Sequence, residues 1–479
     1  MKKYFLIFIL TGALVSTQSC KKVVEGYNTS PNSTTDAPEA LLLTGVEASY
    51  LSFFEGDMAR LGNMWSQAFT GADRQYIGFN DYSGIGASDF DNAWAQAYVS
   101  VFANGLIVES KANALSNKVM MGISQTLRAG VMGTVASCWE NVPFSEAGKV
   151  ELFPTPKFDN QAAVYAAVQT LLDQAITNLT SGQGGVVPSS KDFYFQSNAS
   201  KWAKVARSLK ARYYLHVKDY TNASAQAALG ISTAADDMLA PHGTTLAQDV
   251  NKYWSFIVRD RDSYMNAANA HTVKLMNPAS TTYRGNAKTN ETARLRYHYI
   301  QGNTIYPAPT WVANTATGSA YGQSSKFPLV TFAETKLIEA EANARLATPN
   351  FTNALSALND HRAVLNVNAG YASAFAGLGF KYDPYLITDF APGGIENPGV
   401  LLPNVALLNE IVQERYITLI GQIEHFNDVR RTKNAIGLTP VLGTSLPERF
   451  YYPQAELNAN PNTPAQVVSD LFKRTTANN

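Results

Sequence analysis

Two groups of carboxylates are the first places where this sequence could carry out chemistry. Glu410 and Glu414 stand four residues apart in Val405 to Thr418, a run with helical apolar spacing, so they share one helix face. Glu334, Glu339 and Glu341 crowd a second such run. Two carboxyl groups about 5 to 9 Å apart can flank a glycosidic bond and hydrolyse it. Glycosidase pairs normally come from separate elements facing a cleft, and here Arg415, Lys336, Arg345, Arg430 and Arg431 are at hand as counter-ions. Salt bridging or solvated faces are therefore the expectation, with no catalytic residue assigned, and a surface glycoside hydrolase is the alternative. The chain has no Gly-x-Ser-x-Gly, no phosphate loop and no His-Glu-x-x-His. His216, His242, His271, His298, His361 and His425 are scattered without metal-ligand spacing, and no cofactor is expected. Calcium on loop carboxylates and carbonyls around Asp383 or Asp389 stays open.

Ligand contact is the second chemistry to look for. Asp73, Arg74 and Tyr76 fall in a polar segment that begins at Gly71. Tyr306 and Trp311 lie in Ile305-Tyr306-Pro307-Ala308-Pro309-Thr310-Trp311, where prolines stiffen the backbone. An aromatic ring held by rigid backbone loses little entropy when a ligand stacks on it. Tyr321 is a further candidate. Trp94 is spaced helically with Tyr98, so core packing is expected of it.

The elements that must position these residues read as mainly helical. Helices are predicted over Ala40–Phe54, Met58–Phe69, Phe90–Ser110, Ser124–Cys138, Gln161–Leu179, Lys201–Tyr220, Ala223–Leu229, Phe332–Leu346, Thr352–Leu365 and Val405–Thr418. The last is expected to run on toward Gly421. Asp159, Ser200 and Asn222 are the predicted caps of three of them. Several helices pair across short polar turns, as stacked hairpins do, without a regular 34-residue signature. Residues 236–331 and 369–403 break the pattern with Asn, Thr, Gly, Tyr, Pro and Asp, and Leu295 to Ile300 alternates weakly. Long irregular segments in a folded chain usually build the site.

Composition narrows the function further. Thirty-eight basic and 38 acidic residues cancel, so nothing steers the chain to nucleic acid or to anionic lipid. The aromatic complement of 24 Tyr, 23 Phe and 6 Trp suits ligands with flat apolar faces and polar edges, although most rings must fill cores. Only two cysteines are present. Cys138, in Val135-Ala136-Ser137-Cys138-Trp139, reads as a small buried hydrophobe.

The other cysteine, Cys20, ends a basic Met1-Lys2-Lys3 start, an apolar run from Tyr4 to Val15, and Ser16-Thr17-Gln18-Ser19. That run is too short to span a bilayer, which takes about 20 apolar residues. A small residue before a cysteine is the pattern of a bacterial lipoprotein signal, whose thiol is acylated. The expected organisation is a signal over 1–19, a flexible tether over 20–38 and one binding domain over 39–479.

Ordered motifs along the mature chain then resemble a known family. Tyr27-Asn28-Thr29-Ser30-Pro31-Asn32 is similar to an N-terminal tether, and Gly71-Ala72-Asp73-Arg74-Gln75-Tyr76 follows, then Trp94, Tyr98 and Asn104. Later come Trp139-Glu140-Asn141-Val142-Pro143-Phe144-Ser145-Glu146-Ala147 and the helix Lys201 to Lys210. Ala333 to Ala342, Gln413-Glu414-Arg415-Tyr416, His425 to Arg431 and Phe450 to Pro461 complete the series. Together these resemble the SusD/RagB outer-membrane lipoproteins of Bacteroidetes, in the SusD-like subgroup. Ile423 and His425 depart from the family, which usually has Gly and Arg there. Lys21-Lys22-Val23-Val24-Glu25 stands where some members carry an acidic export mark, so placement on the outer face rests on the resemblance. The resemblance implies tetratricopeptide-like helical hairpins packed against a loop-rich ligand-binding half. It also implies a non-enzymatic protein of the cell outer membrane that binds a glycan or other nutrient and serves as lid on a SusC-type TonB-dependent transporter.

Overall fold

In the computed structural model, residues 37–183, 188–302, 310–367 and 375–479 are described. Cys20 and nearly all of the tether lie outside them. The mainly helical reading holds. The principal helices are α1 (Glu39–Glu55), α2 (Asp57–Trp65), α3 (Gln75–Asn80), α4 (Asp91–Ala95), α5 (Asn104–Ala114), α6 (Lys118–Trp139), α7 (Gln161–Thr180), α8 (Ala199–His216), α9 (Tyr220–Ala228), α10 (Phe332–Ala344), α11 (Phe351–Val367), α12 (Pro403–Thr418) and α13 (Ile423–Arg431). A π-helical stretch, Gln96–Ala103, joins α4 to α5, so the single predicted helix over 90–110 carries a wide turn in its middle. Helix α12 stops at Thr418, and the backbone turns through Gly421 at φ +90°.

Helices α5 to α11 form a row in which each packs on the next. Its pairs α6/α7, α8/α9 and α10/α11 are the hairpins, and α12 continues the row against α10. Apolar residues at helical spacing drive the stacking: Leu171, Leu172 and Ile176 of α7 are buried, as are Leu209 and Tyr213 of α8. Helices α6 and α8 approach closely, because a Cβ at Gly133 would run into the Tyr213 ring.

All three predicted caps shift by a few residues. Asn160 caps α7 by accepting from the Ala163 amide, Asn198 caps α8 from Lys201, and Asp219 caps α9 from Asn222. Asp159 instead accepts from the Phe144 and Ser145 amides, which pins the turn after Pro143.

Helices α9 and α10 are neighbours in the row although residues 229–331 lie between them in sequence. The described residues of that stretch form an insertion with short helices and two-residue to four-residue strands. Among the described residues, four antiparallel ribbons organise the irregular segments. They pair β1 (Thr70–Gly71) with β3 (Met265–Asn266), β2 (Met238–Ala240) with β7 (Phe327–Val330), β4 (Thr289–Asn290) with β8 (Lys381–Tyr382), and β5 (Tyr299–Gly302) with β6 (Thr310–Ala313). The alternating run at Leu295 to Ile300 is helix as far as His298, in Thr292–His298, and strand β5 from Tyr299.

The chain ends return to its beginning. Helix α13 packs on α2, and Phe426 and Phe450 stack at 5.6 Å against each other and edge-on to Trp65. Cys138 is fully buried, and burial pushes its thiol up to about 12. Trp94 lies in the core against Tyr98, 4.5 Å between ring centres, as its spacing predicts.

Candidate functional site

The carboxylates are ion-pair partners in the interior. Glu414 accepts from Arg294 at 2.7 Å, Arg284 at 2.8 Å and His361 at 2.9 Å. Glu410 accepts from Arg284 at 2.7 Å and from the Tyr385 hydroxyl at 3.3 Å. Burial raises Glu410 to about 8 despite Arg284, whereas Arg294, Arg284 and His361 overcome burial and hold Glu414 well below the usual range. Two carboxyls driven apart in this way resemble an acid–base pair. Both are buried, however, at 5% and 0% exposure, and neither offers a face to a polysaccharide.

The closest arginine partners of Glu410 and Glu414, Arg284 and Arg294, come from residues 236–331, not from the arginines nearest in sequence. Arg415 and Arg431 instead hold Glu341 and Asp428, and Arg345 also binds Glu341. Glu334 is bound by Arg212, and Glu339 by Lys336 at 2.9 Å. Arg430 donates to the carbonyls of Ser137 and Glu448. The ordered motifs of the late chain thus form a buried frame of charges.

The ligand candidates divide between surface and core. Backbone pairing of β1 with β3 brings the 73–74 turn beside Tyr264, and the Ala72 amide donates to the Tyr264 carbonyl at 2.8 Å. Arg74 is exposed, its Nη1 3.1 Å from the Tyr264 hydroxyl and its guanidinium 5.4 Å from that ring's centre. It sits at φ +48°, a strained backbone for any side chain other than glycine. Asp73 is half-buried and accepts from the Ser263 hydroxyl at 3.3 Å. On the other flank, the Ala267 amide donates to the Trp311 carbonyl at 2.8 Å, which places β6 next to β3. Trp311 is half-buried, with the Arg296 guanidinium 5.6 Å from its ring centre. Residues 264–267 therefore join two candidates distant in sequence, Arg74 and Trp311.

Two candidates are corrected by burial. Tyr321 is 2% exposed and packs on Phe69 and Tyr253 at 5.6 and 5.0 Å, so its ring belongs to the core. Tyr76 is 7% exposed among Phe79, Phe256 and Tyr264, and burial raises its hydroxyl above the ordinary value. Tyr306 lies outside the described residues.

Two cavities open beside this ribbon. One of about 750 Å³ has Tyr76 in its wall, together with Arg60, Asp57, Arg259 and Asp260. Its charges are matched: Arg60 pairs with Asp57, and Arg259 with Asp260 at 2.7 Å. The other, of about 450 Å³, is lined by Thr70, Asn80, Asn269, His271, Lys274, Thr282 and the 437–441 turn. Sequence reasoning missed Tyr264, Asn269, His271 and Lys274. Only their strand and turn partners single them out from the surrounding polar residues.

Asp389 is bound by Lys288 at 2.6 Å and accepts from the Leu386 amide, while Asp383 pairs with Lys381 at 3.0 Å. Among the described residues no three His, Cys, Asp or Glu side chains gather as a metal site, and no helix is long and apolar enough to cross a membrane.

A row of helical hairpins interrupted by a loop-rich insertion is the architecture of solved SusD-type proteins. A SusD/RagB family protein from Bacteroides thetaiotaomicron superposes with a TM-score of 0.71 at 19% identity, covering 92% of this chain and 99% of that one. A SusD homologue from Bacteroides fragilis gives 0.68 at 17%, with 92% and 99% covered. A chitin-binding SusD homologue from Flavobacterium johnsoniae gives 0.67 at 14%, with 91% and 98% covered. A comparison with curated protein sequences found no match. The chain belongs to the SusD-like family described as starch-binding and associating with the outer membrane, whose model matches residues 31–453.

Proposed function

We propose that this protein captures a glycan on the outer membrane without cleaving it, and delivers it as the lid of a SusC-type TonB-dependent transporter. The observation that carries the reading is the convergence of Asp73 and Arg74 with Trp311 on the two sides of residues 264–267. That places a charged pair and a flat ring on one backbone ladder, the mix of polar edge and aromatic face that a sugar requires. Family membership and the chitin-binding relative support a carbohydrate as ligand. The burial of Glu410 and Glu414 supports binding over hydrolysis. Acylation of Cys20 supplies the anchor.

Isothermal titration against a panel of oligosaccharides tests capture, with product analysis of the same mixtures; heat of binding without new reducing ends is expected. Turnover that disappears in Glu410→Gln or Glu414→Gln would overturn the non-enzymatic part. Pull-down from solubilised outer membranes should bring a TonB-dependent transporter with it, and its absence would remove the lid role. A Cys20→Ser chain is expected to leave the membrane fraction; its retention there would refute the lipid anchor.

A further inference from the structure

The cavity of about 450 Å³ differs from its larger neighbour in charge. Asp57, Asp89 and Asp260 stand among the lining groups of the larger one, opposite its arginines. No carboxylate lines the smaller one among the described residues; its charged or titratable side chains are Lys274 and His271. The remaining polar lining, Gln67, Thr70, Asn80, Asn269, Thr282 and Thr439, supplies neutral hydrogen-bonding groups.

The position of this cavity ties it to the candidate surface. Thr70 belongs to β1, two residues before the Ala72 amide that bonds Tyr264, and the Asn269 amide donates to the Thr70 hydroxyl at 3.3 Å. The Gly71 amide donates to Asn80 at 3.1 Å. The His271 amide donates to the Gln67 carbonyl at 2.8 Å, so the Asn269 and His271 amides fix both ends of the Asn269–His271 turn. Lys274 is exposed on the short helix His271–Met276 and has no carboxylate within ion-pair distance among the described residues. Burial and the nearby Lys274 charge lower the His271 pKa, so His271 is neutral near pH 7 and adds hydrogen bonding rather than charge.

We infer that this cavity reads an anionic substituent on the captured glycan, a uronate carboxylate or a sulfate ester, through Lys274 with His271 and the Asn269 and Thr70 edge beside it. The inference rests on the glycan-capturing reading above and narrows its ligand class. Neutral hydroxyls can use the same amide and hydroxyl groups, but only an anion gains from a cation that no carboxylate opposes. A charge-assisted hydrogen bond is roughly twice as strong as a neutral one, so the preference should be measurable.

The test is titration calorimetry of the full mature chain with matched pairs: an oligouronate and its carboxyl-reduced counterpart, and a sulfated galactan oligomer and its desulfated counterpart. The acidic member of at least one pair is expected to bind about tenfold more tightly. That advantage should shrink as sodium chloride is raised and the charge is screened. Which pair shows it separates carboxylate from sulfate. Lys274→Gln should reduce the preference to near unity and Lys274→Arg should keep most of it, with thermal melting confirming that both variants fold. Equal affinity within both pairs, or a preference that survives Lys274→Gln, overturns the inference and leaves glycan capture standing. Failure of every oligosaccharide tested to bind overturns both.

Discussion

Trp311 and Arg284 show how differently two conspicuous side chains act in this protein. Trp311 is half-buried, with Arg296 against its ring, so removing it should cost binding and little else. Trp311→Ala is expected to weaken glycan affinity about tenfold, as the loss of one stacking contact does; titration beside the wild type checks this, and unchanged affinity would discard the platform. Arg284 is enclosed by Glu291, Glu410 and Glu414. Arg284→Ala strands those carboxylates and should destabilise the fold by about 3 to 5 kcal/mol in a urea titration. The sequence made the polar segment at 71–76 and Trp311 visible because glycine and proline interrupt the helical periodicity, although Gln75 and Tyr76 already belong to α3. It could not separate Arg74 from Tyr76, or Trp311 from Tyr321. Whether a ring faces water is decided by partners such as Phe69 and Phe256, far away in the chain.

At the scale of elements, each predicted helix exists because apolar periodicity survives even where several residues could serve as cap. The caps themselves were not legible: Asn198-Ala199-Ser200 and Asp159-Asn160 each offer two short oxygen side chains, and only the backbone entry angle selects one. Asn198→Ala should therefore cost about 1 kcal/mol and Ser200→Ala less than about 0.5 kcal/mol. Chemical denaturation of both variants distinguishes them, and the reverse order would reassign the cap. The adjacency of α9 and α10 was equally hidden, since periodicity carries no record of which helices touch across an insertion. That adjacency leaves the insertion to carry the proposed site. The insertion supplies Tyr264, His271, Lys274 and Trp311, while the row on either side keeps its own packing.

For the whole molecule, the buried charges set the response to acid. His298 and His425 are held down to about 3 by burial, so the folded protein refuses protons that the unfolded chain accepts below about 6.5. Their contribution is complete above that pH and is lost as pH falls toward 3. Burial pushes Glu341 upward, but Arg431, Arg345 and Arg415 outweigh it and hold the carboxyl to about 2; His216 and Arg212 do the same for Glu424. Their contribution is present above about 4.3 and lost as pH falls toward 2. Glu410, raised to about 8, runs the other way and favours the fold as it gains its proton. Burial also raises Asp237 to about 7 and Glu47 upward, so these carboxyls offset the histidines, and the melting temperature is expected to fall steeply only below about pH 4.3. Calorimetric scans across that range test it; a flat profile down to pH 3 would contradict these burials.

The contact of α13 and Phe450 with α2 also fixes an order of events. Trp65 is made early in synthesis, yet two of the rings that enclose it, Phe426 and Phe450, arrive near the end. Until then the apolar face of α2 lacks its cover, and the long loop-closure needed to supply it is slow. A nascent chain emerging from the ribosome thus remains unfinished for most of its length. A chain cut short before Phe426 would keep Trp65 but lose two of the rings that enclose it.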